Sequence, residues 1–208
     1  MTDGDRRESV NFDLWNDPHD AVWRAALARY PKVITAQDVR RLADRDQWYQ
    51  HELPRQIAQR EPPWISLDEL VQITEWKMAR GVWRQRNLLL VRSNSPEQVS
   101  EASHRALAQR PEPLAPIAVL AKLAGVGPAT ASAVLAAASP DVYPFLDEIV
   151  AAQIPDLGKT DFTLPFYGRY AAALRERAQR LGDGWTPAMV ERGLWANAGG
   201  KAHVAVAP

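Results

Sequence analysis

Residues 123–134 read LAGVGPATASAV, and they carry the most specific chemistry in the chain. Gly125 and Gly127 flank Val126. Glycine reaches positive φ and lets backbones approach closely, as a very short turn between two helices requires. Pro128 suits the first position of the second helix, where a missing N–H loses nothing. The next N–H groups, those of Ala129 and Thr130, have no acceptor within their own helix. Such donors, with the helix dipole behind them, suit a phosphate oxygen. Ala131 and Val134 are small enough to pack this helix closely on the preceding one through Leu120 and Leu123. The chemistry implied is capture of one or two phosphates of a DNA strand, held without reading a base. The competing reading of the two glycines is a helix–helix turn and no more.

A second group follows the hairpin. The run SPDVYPFLD ends in Asp147, directly after the apolar pair Phe145 and Leu146. A partly buried carboxylate here can act on a reacting centre, or it can cap the short helix EIVAAQ. Glu148 reads most simply as a favourable charge in that helix's first turn. A third group lies in EWKMARGVWRQRN. Lys77, Arg80 and Arg84 fall at i, i+3 and i+7 and line one helical face, with Trp76 and Trp83 on an adjacent stripe. Read as a site, they form a basic, aromatic edge for DNA or for a base. Read as structure, they are core tryptophans flanked by solvated charges. The structural reading is preferred for the tryptophans, and the basic residues stay open between the two. Glu75 can read a base edge or pair with an arginine.

The hairpin and its following loop resemble the helix-hairpin-helix DNA glycosylase superfamily. That family's hairpin reads approximately L-P-G-V-G-x-x-T-A. Leu123, Gly125, Val126, Gly127, Thr130 and Ala131 stand in register with it, and Pro140, Pro144 and Asp147 match the loop that follows. In the endonuclease-III-like branch the catalytic aspartate lies eighteen residues beyond the position held here by Ala129, which is Asp147. Looser similarity extends over most of the chain, including the V-E-R-x-L-W-like run near its end. The resemblance implies an all-α, bilobal helical bundle with the DNA site in the cleft between lobes. It implies removal of a damaged or mispaired base flipped out of double-stranded DNA. Asp147 would serve the sugar as it gains oxocarbenium character. Bifunctional relatives carry a lysine where this chain has Ala129, so the implied enzyme is monofunctional. After the aspartate, relatives have a small residue, then His or Asn, then an arginine. Here the run is Asp-Glu-Ile-Val-Ala-Ala from Asp147, with no basic partner nearby. A protein that kept the fold and lost the chemistry is the first rival reading. A helical module that binds another protein is the second.

The elements that must position these groups all read as helix. Asp17-Pro18 opens HDAVWRAALARY. Thr35 reads as the N-cap of a helix running to Pro54. Ser66 caps LDELVQITEWKMARGVWRQRN, with Glu69 completing a capping box and Gly81 breaking or ending the helix. Ser95-Pro96 opens a helix to about Gln109. The hairpin follows the linker RPEPLAP, and two helices close the chain, over residues 167–181 and from Pro187 to Asn197, the second capped by Thr186. Period-two alternation of β-branched residues is absent. Tyr143, Tyr167 and Tyr170 read as packing residues, and Trp185 and Trp195 as anchors of the final helix.

Composition bounds the rest. The 208 residues are 46% hydrophobic and 24% charged with a net charge of zero, an ordinary globular balance. Neutrality argues against a tight nonspecific nucleic-acid binder and leaves room for a local basic face. With no cysteine, disulfides, thiolate zinc sites and cysteine-ligated iron–sulfur clusters are excluded. The four histidines, His19, His51, His104 and His203, show no metal-ligand spacing. No metal or organic cofactor is expected, and a monovalent cation at the hairpin stays compatible with the reading. No signal peptide is visible, and the longest apolar stretches are too short to span a bilayer. The expectation is an intracellular monomer, cytoplasmic and nucleoid-associated. Residues 15–198 should form one bilobal domain, with the hairpin at 114–138 and the aspartate loop at 139–150. Residues 1–14 and 199–208 should be flexible ends.

Overall fold

A computed structural model describes residues 12–205, and every regular element among them is helical. Residues 1–11 and 206–208, which include most of the expected flexible ends, lie outside the described residues.

The chain opens with α1 (Asp20–Ala36), which buries Trp23, Ala26, Tyr30, Val33 and Ile34 along one stripe. That stripe continues across Pro31, so packing carries the helix through a proline that removes one backbone donor. Thr35 is therefore not an N-cap. It lies in the last turn of α1, where its hydroxyl donates to the Pro31 carbonyl at 3.1 Å. The next helical rod comprises α2 (Leu42–Gln47), a π-helical turn (Trp48–Glu52) and α3 (Leu53–Ala58). Pro54 does not end this rod. It sits in the first turn of α3, where its missing N–H is harmless.

The Ser66 capping box with Glu69 is present and starts α4 (Leu67–Arg80), which Gly81 terminates. Residues beyond Gly81 form a separate helix, α5 (Gln85–Arg92). A second capping box, Ser95 with Gln98, starts α6 (Pro96–Ala108). The hairpin helices are α7 (Ala115–Leu120) and α8 (Pro128–Ala138). The single-turn α9 (Glu148–Ala151) follows the aspartate loop, and α10 (Leu164–Leu181) and α11 (Pro187–Asn197) close the fold.

Helices α1, α9 and α10 pack around α11, α4 and α8 join the helices from α2 to α8, and α1 also packs on α2 and links the two sets. A single apolar core runs through both. The aspartate loop, residues 139–147, is fastened to each. On one side the Tyr170 hydroxyl donates to the Phe145 carbonyl at 2.6 Å, and that of Tyr167 to the Pro144 carbonyl at 3.3 Å. On the other, the Leu146 N–H donates to the Ser132 hydroxyl of α8 at 2.9 Å. The three tyrosines of this region, Tyr143 included, are fully buried.

The described parts of both ends make contacts with the helical body. Leu14 is core, and the Asn197 amide donates to the Phe12 carbonyl at 2.8 Å. Beyond α11 the chain folds back: Gln37 donates to the Gly199 carbonyl and accepts from the Ala202 N–H, at 3.0 and 2.9 Å. Gly199 and Gly200 both have positive φ, and a Cβ at either would meet neighbouring atoms within 2.7 Å, so the chain turns there in a tight C-terminal hook.

Candidate nucleic-acid interface and carboxylate pocket

The turn between α7 and α8 lies against α5. At Gly125, φ is +72° and a Cβ would come within 2.8 Å of Asn87, Leu90 and Val91. Only glycine combines that backbone with that approach. Asn94 clamps the same turn, accepting from the Ala124 N–H at 2.9 Å and donating to the Ala124 carbonyl at 3.0 Å. Gly127 behaves differently from expectation. Its backbone is extended, at φ −100° and ψ −179°, and a Cβ there would meet nothing within 4 Å. Any residue can adopt this conformation; what glycine contributes is an unobstructed approach to the N-terminus of α8.

No side chain caps α8. Its first internal bond runs from the Ala131 N–H to the Gly127 carbonyl at 2.9 Å, which leaves the Ala129 and Thr130 N–H groups without a protein acceptor. The side chains of Val126, Ala129 and Thr130 are buried, so the hairpin can meet a ligand here mainly through its backbone. Exposed cations stand around it: Lys122 in the turn, Arg84 and Arg86 at the start of α5, and Lys201 in the C-terminal hook.

Beside the hairpin opens a pocket of about 620 Å³. Ala129 and Asp147 share its wall with Lys77, Arg80, Arg84 and Phe162. The candidate carboxylate and the candidate phosphate cradle thus border one space, although they are eighteen residues apart in sequence. Asp147 does cap α9, its Oδ1 accepting from the Ile149 N–H at 2.8 Å. Capping does not exhaust it, because Oδ2 accepts from Arg80 Nη2 at 3.1 Å.

Arg80 is the feature that sequence reasoning misplaced most. Expected on an exposed basic edge, it is 1% exposed. The guanidinium is ringed by Trp195, Phe145, Trp76 and Tyr30, with its carbon 4.5, 5.1, 5.2 and 5.8 Å from the respective ring centroids. Its Nη2 donates to Glu191 Oε1 of α11 at 2.6 Å as well as to Asp147. A buried cation requires a counter-charge, and two carboxylates supply it. The basic partner missing after Asp147 in the sequence is therefore present in space, delivered by α4. Glu191 was not singled out from sequence. Its signal was available: with Pro187, Val190, Leu194 and Trp195 it falls on the buried stripe of α11. Burial pushes its carboxyl up to about 7, opposed by Arg80 and reinforced by Asp147.

The other residues of the expected basic edge separate. Trp76 is fully buried, stacked on Tyr49 with ring centroids 3.6 Å apart, and its indole donates to Asp46. It supports the pocket from behind and offers no surface to a ligand. Trp83, by contrast, is 47% exposed. Glu75 pairs with Arg45 and Arg92 at 3.2 and 3.1 Å and does not line the pocket, so the ion-pair reading replaces base recognition. Lys77 and Arg84 both line the pocket but do not share a helix face, because Gly81 ends α4 between them. Burial, with the nearby Arg84 cation adding to it, lowers the Lys77 ammonium to about 8. Phe162 and Lys201 line the pocket from segments that sequence reading left as irregular connection and tail.

Among the described residues no helix is long and apolar enough to cross a membrane. No cluster of three or more His, Cys, Asp or Glu side chains that could hold a metal ion occurs among them. Comparison with known proteins finds no matching family model, no matching curated protein and no matching solved structure.

Proposed function

We propose that the protein is a helix-hairpin-helix DNA glycosylase-like repair enzyme that hydrolyses the N-glycosidic bond of a damaged or mispaired base. The observation that carries this reading is the shared wall of Ala129 and Asp147, which puts a fixed carboxylate beside a backbone cradle for phosphate. A phosphodiester held at the N–H groups of Ala129 and Thr130 would bring its sugar to that pocket, with the base flipped out of the duplex. Four exposed cations, Lys122, Arg84, Arg86 and Lys201, give the neutral chain a local basic rim for the DNA backbone. Phe162, 45% exposed at the pocket wall, offers a face on which a planar base can stack. As the base departs, the sugar gains positive charge, and Asp147 stabilises it. Base release needs no amine, and Ala129 supplies none at the hairpin.

DNA binding without catalysis is the second reading, favoured by one observation: both carboxylate oxygens of Asp147 already have protein partners. A panel of lesion-bearing duplexes separates the two. Release of a free base by the wild type, and its loss in Asp147→Asn with duplex binding retained, supports the enzyme. Binding with no base release from any duplex supports the second reading. Absence of duplex affinity at low salt, where phosphate contacts are strongest, removes both.

A further inference from the structure

The pocket beside the hairpin carries more positive than negative charge, and the excess is unpaired. Four basic side chains line it, Lys77, Arg80, Arg84 and Lys201, against two acidic ones, Asp147 and Glu148. Arg80 is engaged by Asp147 and Glu191, and Lys201 donates to the Gly81 carbonyl. Lys77 and Arg84 have no ion-pair partner among the described residues, and Glu148 pairs with neither of them. They are also near one another: burial, with the Arg84 cation adding to it, lowers the Lys77 ammonium to about 8. At pH 7 about nine-tenths of it is still charged. Two neighbouring cations with no anion between them favour a ligand that brings acceptor oxygens or negative charge, and they repel one that brings positive charge. Asn87 lines the same space, and its side-chain amide makes no hydrogen bond among the described residues. Such an amide donates to a carbonyl and accepts from the N–H beside it.

We propose that this pocket selects neutral bases that carry ring carbonyls, the deaminated bases uracil and hypoxanthine being the simplest, and that Lys77 is the residue that sets this preference. The inference rests on the reading of the pocket as a glycosylase site and names the substrate class of that site. When the C1′–N bond breaks, its electron pair departs on the base. A base whose carbonyl is conjugated with the glycosidic nitrogen spreads that negative charge onto its oxygen, where the Lys77 ammonium stabilises it. The oxygen of water bonds to C1′, and the proton that the water gives up neutralises the base. Asp147 thus serves the sugar, which becomes positive, and Lys77 and Arg84 serve the base, which becomes negative. A base methylated on a ring nitrogen is a different case. It is positive before the bond breaks and leaves neutral, so the two cations oppose its entry and contribute nothing to its departure. Adenine and cytosine present an amino group where the deaminated bases present oxygen, and an ammonium accepts no hydrogen bond from it. Stacking on Phe162 is open to all of these planar rings and does not separate them.

Single-turnover base release from duplexes of one sequence, with uracil, hypoxanthine or 7-methylguanine at the same position, tests the proposal. Each rate is divided by that of spontaneous loss from the same duplex, because the methylated base leaves readily unaided. The wild type should accelerate loss of uracil or hypoxanthine at least about tenfold more than loss of 7-methylguanine. Lys77→Met keeps the length of the side chain and removes its charge. It should lose about tenfold or more of the acceleration for the carbonyl-bearing bases, with duplex binding within severalfold of wild type and 7-methylguanine release undiminished. Lys77→Arg, which keeps the charge, should retain the preference. Where Lys77→Met fails to fold, Arg84→Gln, at an exposed position, weakens the same field and should narrow the preference. Acceleration for 7-methylguanine that equals or exceeds that for both other bases, or a preference unchanged in the charge-removing variants, overturns the proposal and leaves the glycosylase reading standing. No release of any base from duplexes that the protein binds removes the glycosylase reading, and this inference with it.

Discussion

Glu191→Gln isolates the charge balance of the buried cluster in a form that stability measurements can read. Glu191 Oε1 and Asp147 Oδ2 share one nitrogen, Arg80 Nη2, at 2.6 and 3.1 Å. Two ionised carboxylates on one guanidinium leave a net negative charge in a site where Glu191 is 2% exposed. Burial accordingly raises the Glu191 carboxyl from 4.5 to about 7. The unfolded chain releases this proton near 4.5, and the folded protein holds it to about 7, so between those values the folded state binds more protons. Stability attributable to this group is therefore fully present below 4.5, declines as pH rises, and is lost above about 7. At 1.36 kcal/mol per pH unit, the loss is about 3 kcal/mol. Glutamine keeps the shape and an oxygen for Arg80 but cannot titrate. Urea unfolding of both proteins from pH 4.5 to 8.5 should show the variant gaining about 3 kcal/mol relative to wild type, with unchanged m-values. A constant offset from the weaker amide bond to Arg80 is expected, and the slope carries the test. A difference that stays flat across this range would refute the reasoning.

Other expectations concern separate parts of the molecule. Arg80→Leu removes the cation from two buried carboxylates and should destabilise the fold by about 3–5 kcal/mol in chemical denaturation at pH 8, and by less at pH 5. Gly125→Ala places a Cβ within 2.8 Å of α5 at a left-handed φ, and calorimetry should show a loss of about 2–4 kcal/mol. Gly127→Val should leave thermal stability within about 1 kcal/mol, because the position is extended and open, yet weaken duplex binding at least severalfold in a low-salt titration. Gln37→Ala unfastens the C-terminal hook at the Gly199 carbonyl and the Ala202 N–H, and limited proteolysis should cleave beyond Asn197 faster than in wild type.

The helices were legible where local rules act alone. The Ser66 and Ser95 caps, the Gly81 stop and the bounds of α8 and α11 follow from side chains that satisfy orphan N–H groups or cannot continue a helix. Reading failed at Thr35 and Pro54, where tertiary packing carries helix across residues that local rules assign to boundaries. At the candidate site, hairpin and aspartate were visible because chain neighbours build them. The cluster around Arg80 was not, because Asp147 and Glu191 lie 67 and 111 residues away and nothing in a single sequence pairs them. What the sequence did contain was incongruity: a charge on the apolar stripe of Ile73, Trp76 and Arg80 in α4, and another on that of α11. Two opposite charges on two otherwise apolar faces must meet or remain unpaired, and unpaired charges are not buried. Arg80 belongs to that apolar stripe and not to an exposed face shared with Lys77 and Arg84.

The same cluster limits how Asp147 can act in the proposed reaction. Its Oδ1 is turned back onto the Ile149 N–H and its Oδ2 onto Arg80, so the carboxylate is held at two points and cannot swing to follow a substrate. A general base must present an oxygen at hydrogen-bond distance from the water it deprotonates, and then carry that proton. A group already engaged at both oxygens is poorly arranged for this, and better arranged to provide a fixed field. Arg80 does not cancel that field, because its single charge is divided between Asp147 and Glu191. With Glu191 ionised the cluster keeps one uncompensated negative charge, and Asp147 is its member at the pocket wall that also holds Ala129. A cationic sugar forming there would be stabilised without reorganisation of the protein, which is what electrostatic preorganisation requires. Protonating Glu191 would remove the excess charge, so base release governed by the field should fall as pH drops through about 7, in step with the proton uptake read by the stability experiment. Water activation by Asp147 has no reason to follow Glu191, and a rate that ignores the Glu191→Gln substitution at every pH would assign Asp147 that role instead.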